Sequence, residues 1–259
     1  MKYAKGTVAI VFLILTIGTG TAAFGFLGFG GTSWKEDVLL HDGRKIIVER
    51  SVDRGGRHEI GQMSPYKHQS LTFTMPGSKQ KIEWEDTFSK ELGMANFLPM
   101  LLDVQNNIAY LVVFPMGCLS YNKWGRPNPP YVIFKYDGKI WQRISLDELP
   151  AEIKVPNVIF SMPDIEVKKS GGHFMSAEMI KKIISGYPQP EYQTILREPL
   201  KPEALCPEEI RTENGGWRGI GWFSGQPDYE ACMKVCDREK VNPQDCPCDR
   251  IFNKTNKEK

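Results

Sequence analysis

Between Trp34 and Phe160 short β-rich runs meet at turn residues again and again, and this grammar constrains the fold more than any other feature of the chain. Asp42-Gly43 lies between Val38-Leu39-Leu40 and Lys45-Ile46-Ile47-Val48, where it supplies the positive φ angles of a tight hairpin. Pro76-Gly77 turns the alternating run Ser70 to Met75 towards Lys81-Ile82-Glu83-Trp84. Gln105-Asn106-Asn107 separates Leu101-Leu102-Asp103-Val104 from Ile108 to Phe114, and Asp137-Gly138 separates Tyr131 to Tyr136 from Ile140 to Ile144. Such spacing predicts a mainly β domain, an antiparallel meander closing as a sandwich or barrel. The units do not match residue by residue, so they are a meander and not a sequence repeat. With 33 basic and 31 acidic residues the net charge is +2, which argues against a nucleic-acid partner. A 41% hydrophobic content excludes a disordered chain.

The N-terminus makes a second demand. No charged residue falls between Lys5 and Lys35, and Thr7 to Phe29 is apolar or small throughout, long enough as a helix to cross about 30 Å of hydrocarbon. Lys2 and Lys5 precede it, so residues 1–31 are expected to be a transmembrane anchor. The protein then belongs to the inner membrane, with its main domain in the periplasm. A cleaved signal peptide is the alternative, with Val8 to Ile17 as apolar region and Thr21-Ala22-Ala23 as cleavage site. Phe24, Phe26, Leu27 and Phe29 continue the apolar run past that cut and favour the anchor.

The β-rich domain is expected over 34–165, with Asn157 to Phe160 as its last strand. Over 166–205 follow a helix and a proline-rich strap. The helix spans Ser176 to Ser185: Ser176 caps it, Met179, Ile180, Ile183 and Ile184 form a stripe, and Gly186 stops it. Five prolines between Tyr187 and Pro207 keep the strap extended. Residues 206–259 form a small helical tail rich in cysteine. There Cys206, Cys232, Cys236, Cys246 and Cys248 cluster, while Cys118 lies in the sheet region. Cys232 and Cys236 share a helical face that begins near Pro227-Asp228-Tyr229, with Ser224 to Gln226 as cap candidates, and each needs a partner elsewhere. Folding back through Asn242-Pro243 sets Cys246 opposite Cys236 and Cys248 opposite Cys232, leaving Cys118 for Cys206. A four-cysteine zinc site is the competing reading, weakened by the single residue between Cys246 and Cys248. Disulfides suit an exported chain, and no metal or cofactor is expected.

No catalytic motif is found: no His-Glu-x-x-His, Gly-x-Ser-x-Gly, Walker loop or Cys-x-x-Cys. Two loops carry recognition chemistry. Ser51 to Gln62 presents Arg54, Arg57 and His58, a guanidinium and imidazole set suited to an anionic group, or a solvated loop whose charges pair with one another. Tyr121 to Pro130 alternates Tyr121, Lys123, Trp124 and Arg126 with amides and prolines, equipment for a glycan or an extended peptide, or a plug at the end of the sheet. His41, His68 and His173 lack patterned partners, and Glu83, Glu85 and Asp86 read as an exposed strand edge.

Arg54-Gly55-Gly56-Arg57-His58-Glu59-Ile60-Gly61-Gln62, the run from Tyr121 to Pro130, and Phe134-Lys135-Tyr136-Asp137-Gly138-Lys139 together resemble an uncharacterised group of proteobacterial membrane-anchored proteins. The resemblance covers Trp34 to about Pro199 and implies an anchored envelope protein without assigning an activity. The expected function is a periplasm-facing binding or structural module of the envelope, with a glycan or another envelope protein as partner. An envelope hydrolase using His58 and Glu59 is the alternative. An inhibitor or assembly factor presenting the stapled tail is a third reading.

Overall fold

A computed structural model describes residues 31–56 and 58–252. Apart from Gly31, the expected anchor lies outside these residues, as do Arg57 and the polar terminus beyond Phe252. Among the described residues no helix is long and apolar enough to cross a membrane.

All four turn sequences make hairpins. Strand β1 (Thr32–Leu39) pairs with β2 (Lys45–Arg54), and β3 (Tyr66–Thr74) pairs with β2 on one side and β4 (Lys81–Asp86) on the other. The second sheet is a meander of β5 (Phe97–Gln105), β6 (Ile108–Pro115), β7 (Val132–Tyr136) and β8 (Trp141–Ile144), with helix α1 (Gly117–Lys123) between β6 and β7. Asn106 and Asn107 adopt φ of 52° and 60°, the left-handed pair that a two-residue hairpin requires. After β8 come α2 (Pro163–Lys169), the two-residue β9 (Phe174–Met175) and α3 (Ala177–Ile184). β9 joins the edge of the first sheet parallel to β1, giving the order β4-β3-β2-β1-β9.

The two sheets face each other across one apolar layer. Val38, Val48, Leu71, Phe73, Ile82 and Trp84 come from the first sheet and Leu102, Val104, Leu111 and Val113 from the second, each at the period-two spacing of a strand face. The outer face of the second sheet is also apolar. Residues Leu149, Ile153 and Phe160 cover it together with the strap, through Tyr187, Tyr192 and Ile195. Helices α2 and α3 cover the far end of the first sheet, where Val167, Ile180 and Ile184 meet Trp34, Val52 and Tyr66.

Several inward positions break the apolar pattern, among them Glu36 and Arg50. Glu36 lies between Trp34 and Val38 on the buried face and is 0% exposed; Arg50, 2% exposed, donates to it at 2.9 Å. The pair is completed by the Trp34 indole, which donates to Glu36, and by the Ile159 carbonyl, which accepts from Arg50 at 2.6 Å. A buried pair of this kind persists only when its remaining donors and acceptors are also satisfied.

The strand expected at Asn157 to Phe160 is absent. Asn157 instead lends its side-chain amide to the edge of β5, accepting from Leu102 N and donating to the Leu102 and Leu39 carbonyls. A side-chain amide imitates one peptide unit, so it completes the ladder without the backbone running on as a strand. Asp86 is buried, not part of an exposed edge. Its carboxylate accepts from Gln69, from the Asn96 side chain and from the backbone of Asn96 and Phe97, although burial still pushes its pKa above the ordinary value. His41 also has a partner, Asp103, at 2.6 Å, brought to it from β5.

The strap contains one helical turn, α4 (Pro190–Gln193), and leads into the tail. There a two-stranded ribbon, β10 (Glu209–Arg211) and β11 (Trp217–Gly219), precedes α5 (Gly221–Ser224), α6 (Tyr229–Glu239) and α7 (Cys248–Ile251). Asp228 caps α6, accepting from Ala231 N at 2.8 Å, in place of the residues 224–226 expected from the sequence. An aspartate directly before the first helical residue outcompetes more distant polar side chains for the free amides. The cysteines meet as Cys118 with Cys206, Cys232 with Cys248 and Cys236 with Cys246.

Candidate functional site

The two loops marked by the sequence have separate partners. Arg54 places its fork on both oxygens of Asp164 at 2.7 and 2.8 Å, donates to the Ser64 carbonyl and the Tyr66 hydroxyl, and lies 4.2 Å from the Tyr66 ring centroid. Burial raises the pKa of Asp164, but the Arg54 fork and the Tyr66 hydroxyl outweigh it and hold the carboxyl below its ordinary range. Arg54 therefore ties β2 to α2. His58 is exposed and contacts the Gly56 carbonyl and Ser64. Glu59 contacts Gln62.

In the second loop the residues just after β6 form α1, entered through Gly117 at φ 75°. A left-handed residue there turns the chain sharply off the strand, which glycine does at least cost. Trp124 seals the end of the sandwich, its ring 4.5 Å from that of Phe97 and 6.3 Å from that of Phe134, with its indole donating to Asn96. Lys123 donates to Ser89 and Asn96 at 2.9 Å each and pairs with Glu91 at 3.7 Å. Arg126 donates to Asn122 and lies 5.2 Å from the Tyr121 ring centroid.

Tyr121 differs from its neighbours. It is buried, and among the described residues its hydroxyl is the one buried side-chain polar atom with no hydrogen-bond partner. Leaving such a group unpaired costs about 1–3 kcal/mol, so a native fold retains it only where something else compensates. Tyr121 lines a cavity of about 390 Å³ between the strap and the outer face of the second sheet. Leu98 and Phe114 come from the sheet, Phe160 from the segment after β8, Tyr187, Tyr192 and Leu205 from the strap, and Cys206 joins the wall through its bond to Cys118. The aromatic rings form a continuous bank: Phe114 to Tyr192 at 5.2 Å, Tyr192 to Phe160 at 5.0 Å and Phe160 to Tyr187 at 4.8 Å. Burial raises the pKa of Tyr121, Tyr187 and Tyr192, so all three phenols stay protonated at neutral pH and act as donors. Among the described residues the lining has no histidine, lysine or arginine. The wall is mainly apolar, with five aromatic residues and few polar groups.

Of the recognition residues marked by the sequence, the lining of this cavity includes Tyr121, with Pro130 from the end of the same loop and Cys206 from the tail. Its other walls come from the strap and from the outer face of the second sheet, and only the packing of those parts brings them to Tyr121. A smaller polar cleft lies between α1 and the tail, but its cations Lys123 and Arg211 are both paired with Glu91. In the tail the sulfurs of Cys236, Cys246 and Cys248 lie within 4.8 Å of one another, the grouping that a zinc site would use, and all three are joined in disulfides. Compared with family models, curated proteins and solved structures, the chain matches none.

Proposed function

We propose that the chain is a membrane-anchored, exported binding module of the bacterial envelope, and that its binding site is the aromatic cavity behind the strap. The anchor rests on the uncharged run between Lys5 and Lys35, and export on that run together with the three cysteine pairs. The observation that carries the binding reading is the Tyr121 hydroxyl, buried without a partner beside a bank of aromatic rings. A bound molecule that reaches this hydroxyl with an acceptor would recover the lost hydrogen bond.

The test uses prodan, a neutral naphthyl ketone whose fluorescence reports an apolar site. Residues 32–259 bind it with a blue shift; Tyr121→Phe weakens binding by about five- to tenfold, the value of one hydrogen bond, and Leu205→Trp fills the cavity and abolishes binding. Equal binding by the parent and both variants would remove the cavity from consideration. The hydrolase reading receives less support, because His58 and Glu59 are exposed and engaged with different neighbours.

A further inference from the structure

Glu191 carries the only formal charge among the residues lining the aromatic cavity. It lies on α4, and the neighbouring Tyr192 belongs to the aromatic bank. Its backbone carbonyl accepts from Tyr131, while its side chain has no hydrogen bond or ion pair with another described residue. The guanidinium of Arg126 is held against the Tyr121 ring and Asn122, and Arg126 does not line the cavity. Among the described residues the lining thus has aromatic rings, a carboxylate and no cation, while Arg126 and Lys169 act on Tyr121 and Tyr187 from outside it.

From this charge distribution we infer that the cavity takes a hydrophobic organic cation, an alkyl- or aryl-ammonium, held by the ring faces and the Glu191 carboxylate and not through the Tyr121 hydroxyl, which serves ligands that carry an acceptor. Aromatic faces attract an ammonium group through their quadrupoles, more strongly where water is excluded, and a carboxylate in the lining adds to that attraction. The same arrangement disfavours fatty acids, phosphates and anionic headgroups, which would meet Glu191 with no cation among the described lining residues to offset it. The inference rests on the binding reading above and specifies the ligand of that same site.

The experiment is calorimetry on the full chain in lipid nanodiscs, with empty nanodiscs as blank, using three probes of matched shape. These are 3-phenylpropyl-trimethylammonium, its uncharged tert-butyl isostere, and 5-phenylpentanoate. The ammonium is expected to bind at least about tenfold more tightly than the isostere, with no detectable binding of the carboxylate. In Glu191→Gln that preference falls to within about threefold. An isostere that binds as tightly as the ammonium, or a preference unchanged in Glu191→Gln, overturns the cation inference and leaves the cavity standing. If none of the three binds, or if Leu205→Trp binds them as the parent does, the cavity reading itself fails and the inference with it.

Discussion

Single residues in this protein take their roles from partners far away in sequence. Arg54 and Asp164 are 110 positions apart, and their contact couples stability to pH. The folded-state pKa of Asp164 is lowered, so its contribution is fully present above the unfolded value of about 3.9 and is lost as pH falls through the folded value. Asp86 acts in the opposite direction. Burial raises its pKa, so its protonated form favours the fold below about 3.9, and that contribution is lost as pH rises through the raised value. Urea unfolding between pH 2 and 6 is expected to show stability falling below pH 4, and Asp164→Asn should flatten that acid limb. An acid limb as steep in Asp164→Asn as in the parent would show that the Arg54 pair does not govern it. Neither environment could be read locally: Asp86 occupies a strand whose neighbours Glu83 and Glu85 are ordinary edge residues, and only the arrival of Asn96 and Phe97 makes it a buried acceptor. Glu36 is similar, a charge in the inward register of β1 that is tolerable only because β2 sets Arg50 beside it.

At the scale of elements, the hairpins follow from local chemistry and the segments between them do not. Asp-Gly, Pro-Gly and Asn-Asn specify their turns by backbone conformation alone, and α3 begins at Ser176, whose hydroxyl accepts from Met179 N. By contrast α1 and α2 are helices of about two turns with too little periodicity to stand out, and both are held by tertiary packing. The strap is longer and weaker still, and what ties it to the sheet covalently is Cys118–Cys206. That bond closes a loop spanning 88 positions, against 10 for Cys236–Cys246. Loop-closure entropy then assigns about 4.5 kcal/mol to the first and about 2.7 kcal/mol to the second. Paired serine replacements compared by denaturant unfolding should rank in that order, and Cys118→Ser/Cys206→Ser should also weaken prodan binding because Cys206 is part of the cavity wall. A larger loss from the short loop would contradict the ranking.

Across the whole molecule the apolar cores are unequal. The layers around the two sheets and under α2 and α3 contain no cysteine, whereas three of the seven buried residues of the tail core are cysteines. A core that small does not hold a fold without covalent staples. Under a reductant strong enough to open all three bonds, hydrogen exchange followed by mass spectrometry is expected to deprotect residues 206–252 while β5 and β6 remain protected. Uniform deprotection would mean that the sandwich depends on the tail for its stability.

The sequence by itself determined the antiparallel class, the positions of four hairpins, the start and stop of α3 and the concentration of cysteine in the tail, because each follows from the backbone preferences or residue spacing of a few adjacent positions. Tertiary structure alone decided that Arg54, Lys123 and Trp124 would hold the fold together, that Glu36 would be buried against Arg50, and that Tyr121 would open into a cavity walled by residues as distant as Leu98 and Leu205. A partner supplied from tens of positions away leaves no local pattern, since burial and charge pairing are properties of the packed chain.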